Sequence, residues 1–249
     1  MKYFIFSTFL SFSFSSWAFT LNSTDNPNFK GWPNETIEFV LNPTNCPDTV
    51  IGLIESAFDI WRNVPSSKVK VKLISTTGTA TAATNPTTIF CANDFGTLLG
   101  GGAEDNDSTP GVAQLIPDGD YAIGGQLILN TSTGLASINT LNPEIVKIVL
   151  AHEIGHILGL GHSHDTSALM YYNASAKNTM SLSQDDIDGI SYLYPRNEVG
   201  GDDLLGGCGH IFTDRTPPQG TRAVLLALLL FPFLLAYGFK KRYTYSKIS

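Results

Sequence analysis

The sequence predicts a mixed α+β domain over roughly residues 25–196, and three observations carry that expectation. Short strand patterns alternate with one amphipathic helix in the first half. A long helical run free of breakers and a capped closing helix fill the second. No internal repeat points to a solenoid or propeller.

The elements follow in order. Thr36 to Leu41 (TIEFVL) alternates apolar and polar residues until Asn42-Pro43 stops it, the pattern of a short strand. In Asp48 to Trp61 (DTVIGLIESAFDIW), Val50, Ile51, Ile54, Ala57, Phe58 and Trp61 recur at helical spacing, with Asp48 as the expected N-cap. Lys68 to Ile74 (KVKVKLI) alternates strictly, a half-buried strand with its lysines in solvent. Residues 75–111 are rich in Thr, Gly, Asn and Asp and read as long loops broken by one short strand near Thr88 to Cys91. A loop of that length in a compact domain needs a tie. Glu104, Asp105, Asn106 and Asp107 offer oxygen ligands to a structural Ca2+ ion, or else form a solvated acidic turn. Gly111 to Ile116 (GVAQLI) and Gln126 to Asn130 (QLILN) supply two further strands, with Pro117-Asp118-Gly119-Asp120 turning between them. Asn142-Pro143-Glu144 then opens the long helix: Asn caps, Pro fits the first helical position, and an acid faces the helix N-terminus.

The chain's 43% hydrophobic content is high for a soluble protein, and much of the excess sits at its two ends. Residues 1–18 begin with Lys2, continue through an apolar stretch and close on Ser16-Trp17-Ala18, the pattern of a cleaved secretion signal. Residues 197–222 carry Gly, Asp and Pro in the manner of a linker. Residues 223–239 form an uncharged apolar run, about 25 Å long as a helix and kinked by Pro232, which fits a membrane span. The basic residues 240–249 stay cytoplasmic on this reading, leaving everything upstream at the cell surface or outside. A net charge of -7 and the lack of a basic stripe exclude a nucleic-acid partner, and a monomer is expected. Three cysteines allow three pairings; Cys46 with Cys91 is the natural one because Cys208 sits beside the span.

The chemistry is concentrated in residues 152–165, HEIGHILGLGHSHD, which hold four of the five histidines. On a helix, His152 and His156 lie one turn apart on one face and can aim two imidazoles at one metal. Glu153, beside the first, can reach a water on that metal without ligating it. Gly159 can take the positive φ that ends a helix and turn the chain so that His162 supplies a third ligand. Three histidines leave the fourth position of Zn2+ open, which marks a catalytic site rather than a closed structural one. His164 and Asp165 are rivals for the third place; spacing favours His162.

HEIGHILGLGHS matches the metzincin pattern HExxHxxGxxH, and the serine after the third histidine resembles the matrixin branch of zinc proteases. Ala168-Leu169-Met170-Tyr171 is similar to that family's Met-turn, which would make Met170 a hydrophobic floor beneath the ligands. LSQDDIDGISYLYP resembles its closing helix, with Ser183 and Asp186 as a capping-box pair. The resemblance covers about residues 32–195. It implies a zincin-like fold, a twisted mixed sheet with an active-site helix and a C-terminal helix. It also implies a zinc endopeptidase with Glu153 as general base and an extended peptide as substrate. No cysteine-switch motif lies between residue 18 and Trp32, so the chain resembles compact bacterial members more than animal ones. The tail from GGCG to the basic end resembles bacterial C-terminal sorting signals, with Cys208 as the site of processing or lipid attachment; a plain single-pass anchor fits equally. A surface adhesion module that keeps the zinc fold without turnover is the other class of function, and the presence of Glu153 weighs against it. Zinc hydrolysis of a non-peptide bond is a third option.

Overall fold

The computed structural model describes residues 19–22 and 26–196. The expected signal peptide, the linker with Cys208, the span and the basic tail lie outside the described residues. Among the described residues no helix is long and apolar enough to cross a membrane.

Five strands form one sheet: β1 (Thr36–Asn42), β2 (Lys70–Ser75), β3 (Thr87–Ala92), β4 (Gly111–Asp118) and β5 (Tyr121–Asn130). Their order is β2-β1-β3-β5-β4. The first four run parallel, and β4 returns antiparallel to β5 at the edge, with Val112 opposite Ile128 and Gln114 opposite Gln126. β3 is buried along its whole length, as a central parallel strand must be. At the rim, β2 alternates as its lysines require: Lys70 and Lys72 face water and Val71 faces the core.

Two helices cover the sheet. α1 (Val50–Arg62) buries Ile54, Ala57, Phe58 and Trp61, and α4 (Pro143–Ile157) buries Val146, Ile148, Val149, Leu150, Ala151, Ile154 and Ile157. A helix apolar on so many sides belongs in the middle of a domain. Trp61 joins the two: its indole Nε1 donates to the carbonyl of Ala151 at 2.8 Å, one residue before His152. α5 (Gln184–Leu193) closes the domain, and Tyr194 just beyond it donates to the carbonyl of Leu158 at 2.8 Å. Thus the C-terminal end of α4 is held by its neighbours as well as by its own ladder.

Local expectations fare unevenly. Asn142 caps α4 as read, its Oδ1 accepting from Glu144 N at 2.9 Å, and Ser183 with Asp186 forms a full capping box on α5. The cap of α1 is Thr49 rather than Asp48, and it makes no side-chain hydrogen bond there. The strand expected at Gln126 begins five residues earlier, at Tyr121. The long loop is not structureless. It holds α2 (Phe95–Leu99) and α3 (Ala103–Ser108), two helices too short and too rich in Gly, Asp and Asn to show in periodicity. Its tie is direct: Asn106 Oδ1 accepts from Gly96 N at 2.8 Å, and Asp107 Oδ1 accepts from Leu135 N at 2.8 Å. The acidic run expected to hold Ca2+ lies on α3, with those two side chains spent on backbone amides rather than turned to a common point. A disulfide joins Cys46, in the approach to α1, to Cys91 of β3.

Candidate metal centre

α4 ends where its glycines dictate. Leu158 caps it, and Gly159 adopts φ 104°, a conformation that strains any residue with a Cβ. A Cβ there would also stand 2.8 Å from the ring of Phe29. The bend carries the chain back so that His162 faces the last turn of the helix.

The three imidazoles converge. His156 Nε2 lies 3.1 Å from His152 Nε2 and 3.2 Å from His162 Nε2. Nitrogens at about 2.1 Å from one tetrahedral zinc stand about 3.4 Å from each other, so the cluster is the size a zinc ion needs. Among the described residues this is the one group of His, Cys, Asp and Glu atoms gathered closely enough to hold a metal. The tautomers agree with that role. His152 Nδ1 lies 2.8 Å from the carbonyl of Leu169, and His156 Nδ1 lies 2.8 Å from the carbonyl of Leu160. A carbonyl can only accept, so each Nδ1 carries the proton and each Nε2 offers its lone pair to the cluster. Burial pushes His152 down to about 4 and His156 to about 3, so both rings are neutral and ready to ligate at pH 7. His162 is also lowered by burial, although its ring lies at the exposed rim.

Glu153 lies against the same cleft, only 8% exposed. Burial raises its carboxyl to about 8, and a backbone hydrogen bond from Ala113 of the edge strand pulls the other way. The cleft has a volume of about 670 Å³ and is bordered by Pro110, Gly111, Val112 and Ala113 on one side and Tyr172, Asn173 and Ala174 on the other. The rivals for the third ligand are elsewhere: Asp165 caps the backbone and hydroxyl of Ser167, and His164 is exposed.

Met170 is buried and lies against Gly155, in the helix turn between His152 and His156. Its turn is held by residues that sequence reasoning did not single out for this task. Asp186 accepts from Leu169 N at 2.7 Å and from Met170 N at 3.0 Å, in addition to its capping bond to Ser183. Its neighbour Asp185 accepts from the hydroxyl of Ser163 at 2.5 Å. The available signal was the adjacency of two acids before an apolar helix face; first-turn acids are ordinarily exposed, and these two are buried. Also missed were Thr20 and Asn22, which lie outside the expected domain start at residue 25 yet line the cleft.

Known proteins resemble the part of the chain that holds this site. Residues 103–195 match the matrixin family. Over that stretch the chain resembles the matrixin-like metzincins. Human neutrophil collagenase is 57% identical over 49 residues, 19% of this chain and 10% of that protein. Metalloendoproteinase 1 of Glycine max is 54% identical over 53 residues, 21% of this chain and 17% of that protein. Metalloendoproteinase 2-MMP of Arabidopsis thaliana is 27% identical over 175 residues, 69% of this chain and 44% of that protein. The chain thus spans less than half the length of these matrixin relatives. The mixed sheet with its two packed helices fits a matrixin catalytic domain, and His152, His156 and His162 form its potential zinc site.

Proposed function

We propose that this domain is a zinc-dependent endopeptidase acting on extended peptides at or outside the cell surface. The observation that carries this reading is the convergence of three lone-pair-bearing Nε2 atoms beside a buried carboxylate in a cleft edged by an unpaired strand.

A bound zinc supplies Lewis acidity, which acidifies a water and polarises the scissile carbonyl. The protein's own residues do the rest. β4 pairs with β5 on one side only, so its outer edge offers backbone groups to which a substrate chain can add as a further strand. Glu153 then accepts the proton of the attacking water and returns it to the departing amine nitrogen, one carboxyl serving as base and then acid. Its burial keeps it out of bulk solvent and its basicity high, which suits that exchange. Met170 contributes a fixed apolar floor, and His164 stays at the surface. The loop from Ser163 to Met180 shapes side-chain preference.

Further elements of the reading lie outside the described residues: residues 1–18 direct export, residues 197–222 link the protease to a span at residues 223–239, and Cys208 marks the point of processing or attachment if the tail is a sorting signal. Mass spectrometry of the mature C-terminus separates retention from cleavage.

The deciding experiment incubates the protein with a proteome-derived peptide library, with and without a chelator. Chelator-sensitive cleavage is expected, and Glu153→Ala should bind zinc, stay folded and cleave nothing. Full activity in that variant removes the assigned role; zinc binding without any cleavage by the wild type favours the adhesion reading instead.

A further inference from the structure

The third histidine differs from the other two in how it is held. His152 and His156 have their rings oriented by Nδ1 bonds to backbone carbonyls, whereas among the described residues the only group at hydrogen-bond distance from a ring nitrogen of His162 is His156 Nε2. Its position must therefore come from its backbone. That backbone lies in the bend after α4, which leaves the helical ladder at Leu158 and has no regular element of its own.

Phe19 to Asn22 run antiparallel alongside this bend. Leu21 pairs with Leu160. Asn22 N donates to the Gly159 carbonyl at 2.8 Å, and Gly161 N donates to the Thr20 carbonyl at 2.8 Å. Two side chains then reach the ligand residues themselves: the Thr20 hydroxyl donates to the carbonyl of His162 at 2.6 Å, and the Asn22 side-chain amide donates to the carbonyl of His156 at 3.0 Å. The strap lies so close that a Cβ on Gly161 would fall on the Thr20 hydroxyl and stand 2.8 Å from the Leu21 carbonyl oxygen. Gly161 has no positive φ, so close approach of the strap, not backbone conformation, is what requires glycine there.

We propose that Thr20 and Asn22 are positioning residues for the metal centre: the strap fixes the backbone of His156 and His162 and so sets how well the third imidazole meets the zinc. The chain separates these partners by 142 and 134 residues, so the strap acts as an added strand closing the bend from outside. Losing a partner of this kind, one step removed from the ligand ring, typically weakens metal binding by about 10- to 100-fold.

This inference rests on the reading of the three histidines as a zinc site and is independent of peptide turnover. The test measures zinc dissociation constants by competition with a chromophoric chelator, and visible spectra of the cobalt-substituted protein. It uses the full chain and the variants Thr20→Val, Thr20→Ser, Asn22→Ala and Gly161→Ala, with far-UV circular dichroism confirming that each is folded. We expect about tenfold weaker zinc binding and altered cobalt bands for Thr20→Val, Asn22→Ala and Gly161→Ala, and near wild-type behaviour for Thr20→Ser, which keeps the hydroxyl. If Thr20→Val does not fold, Asn22→Ala, which removes a single side-chain hydrogen bond, carries the test. Folded variants that hold zinc within twofold of wild type overturn the strap's role and leave the zinc site standing, as does a Thr20→Ser deficit equal to that of Thr20→Val. A wild type that binds no zinc overturns both.

Discussion

Met170 lies directly on Gly155: a Cβ built on that glycine would overlap the thioether sulfur and stand 2.9 Å from the indole of Trp61. The glycine in HEIGH is therefore a packing requirement. It lets Met170 pack against the helix turn between His152 and His156, while Trp61 lies beside it and pins Ala151.

Replacing Gly155 with Ala should accordingly destabilise the domain. Alanine gains about 1 kcal/mol in helix propensity, but overpacking against two buried side chains costs about 1–3 kcal/mol and moves Met170 or Trp61 away from the cluster. A lower urea midpoint is expected, together with weaker zinc retention. A Gly155→Ala variant more stable than wild type would show that the contact relaxes freely.

Asp186 is the second point of leverage. One carboxylate takes the amides of Leu169, Met170 and Ser183, so it ties the turn at Leu169-Met170 to α5, and the carbonyl of Leu169 in turn orients His152. Asparagine has one acceptor oxygen and presents an amide to groups that are themselves donors. Asp186→Asn should therefore lose about 2–4 kcal/mol in denaturant titration and bind zinc more weakly. Asp188→Asn, an exposed change two residues on, should shift stability by less than about 0.5 kcal/mol.

These two sites mark the limit of what the sequence reveals. Periodicity located α1, β1 and β2 because one face of each is buried, the cap at Asn142 and the unbroken run after it located α4, and the histidine spacing with Gly159 located the metal centre because both obey local helix geometry. α2 and α3 escaped because five- and six-residue helices of weak formers exist only through tertiary contacts such as that between Gly96 and Asn106. Asp186 was legible as a cap, a local property, but its grip on the turn at Leu169-Met170 spans 16 and 17 residues, and the strap's grip on the bend spans far more. Partnerships of that range have no periodic trace.

The buried histidines make the metal-free domain acid-sensitive. Folded His152 and His156 titrate at about 4 and about 3, against 6.5 in the unfolded chain, because burial disfavours the charged ring. As pH falls below 6.5 the unfolded chain therefore takes up protons that the folded one refuses. These two rings make stability fall with falling pH, with a slope approaching about 2.7 kcal/mol per pH unit between about pH 6 and 4, while Glu153, at about 8 folded against 4.5 unfolded, opposes them by about 1.4 kcal/mol per unit between about pH 7.5 and 5. Zinc release follows the same sign, since protons compete for Nε2. Urea midpoints of chelator-treated protein should change little from pH 7 to 6.5 and decline from about pH 6 to 4.5; a flat profile over the lower window would mean that the rings are not buried neutral.

The disulfide offers a prediction at a distance from the chemistry. Cys46 and Cys91 close a 45-residue separation, tethering the approach to α1 to the central strand β3. Opening a loop of that size releases unfolded-state entropy worth about 2–4 kcal/mol. The double variant Cys46→Ala with Cys91→Ala should melt about 5–15 °C lower. Neither cysteine borders the cleft, so zinc content at 25 °C should equal that of wild type. Calorimetry and metal analysis of the same sample decide it: an unchanged melting temperature denies the cross-link its stabilising part, and lost zinc at an unchanged melting temperature would place the cysteines in the metal centre instead.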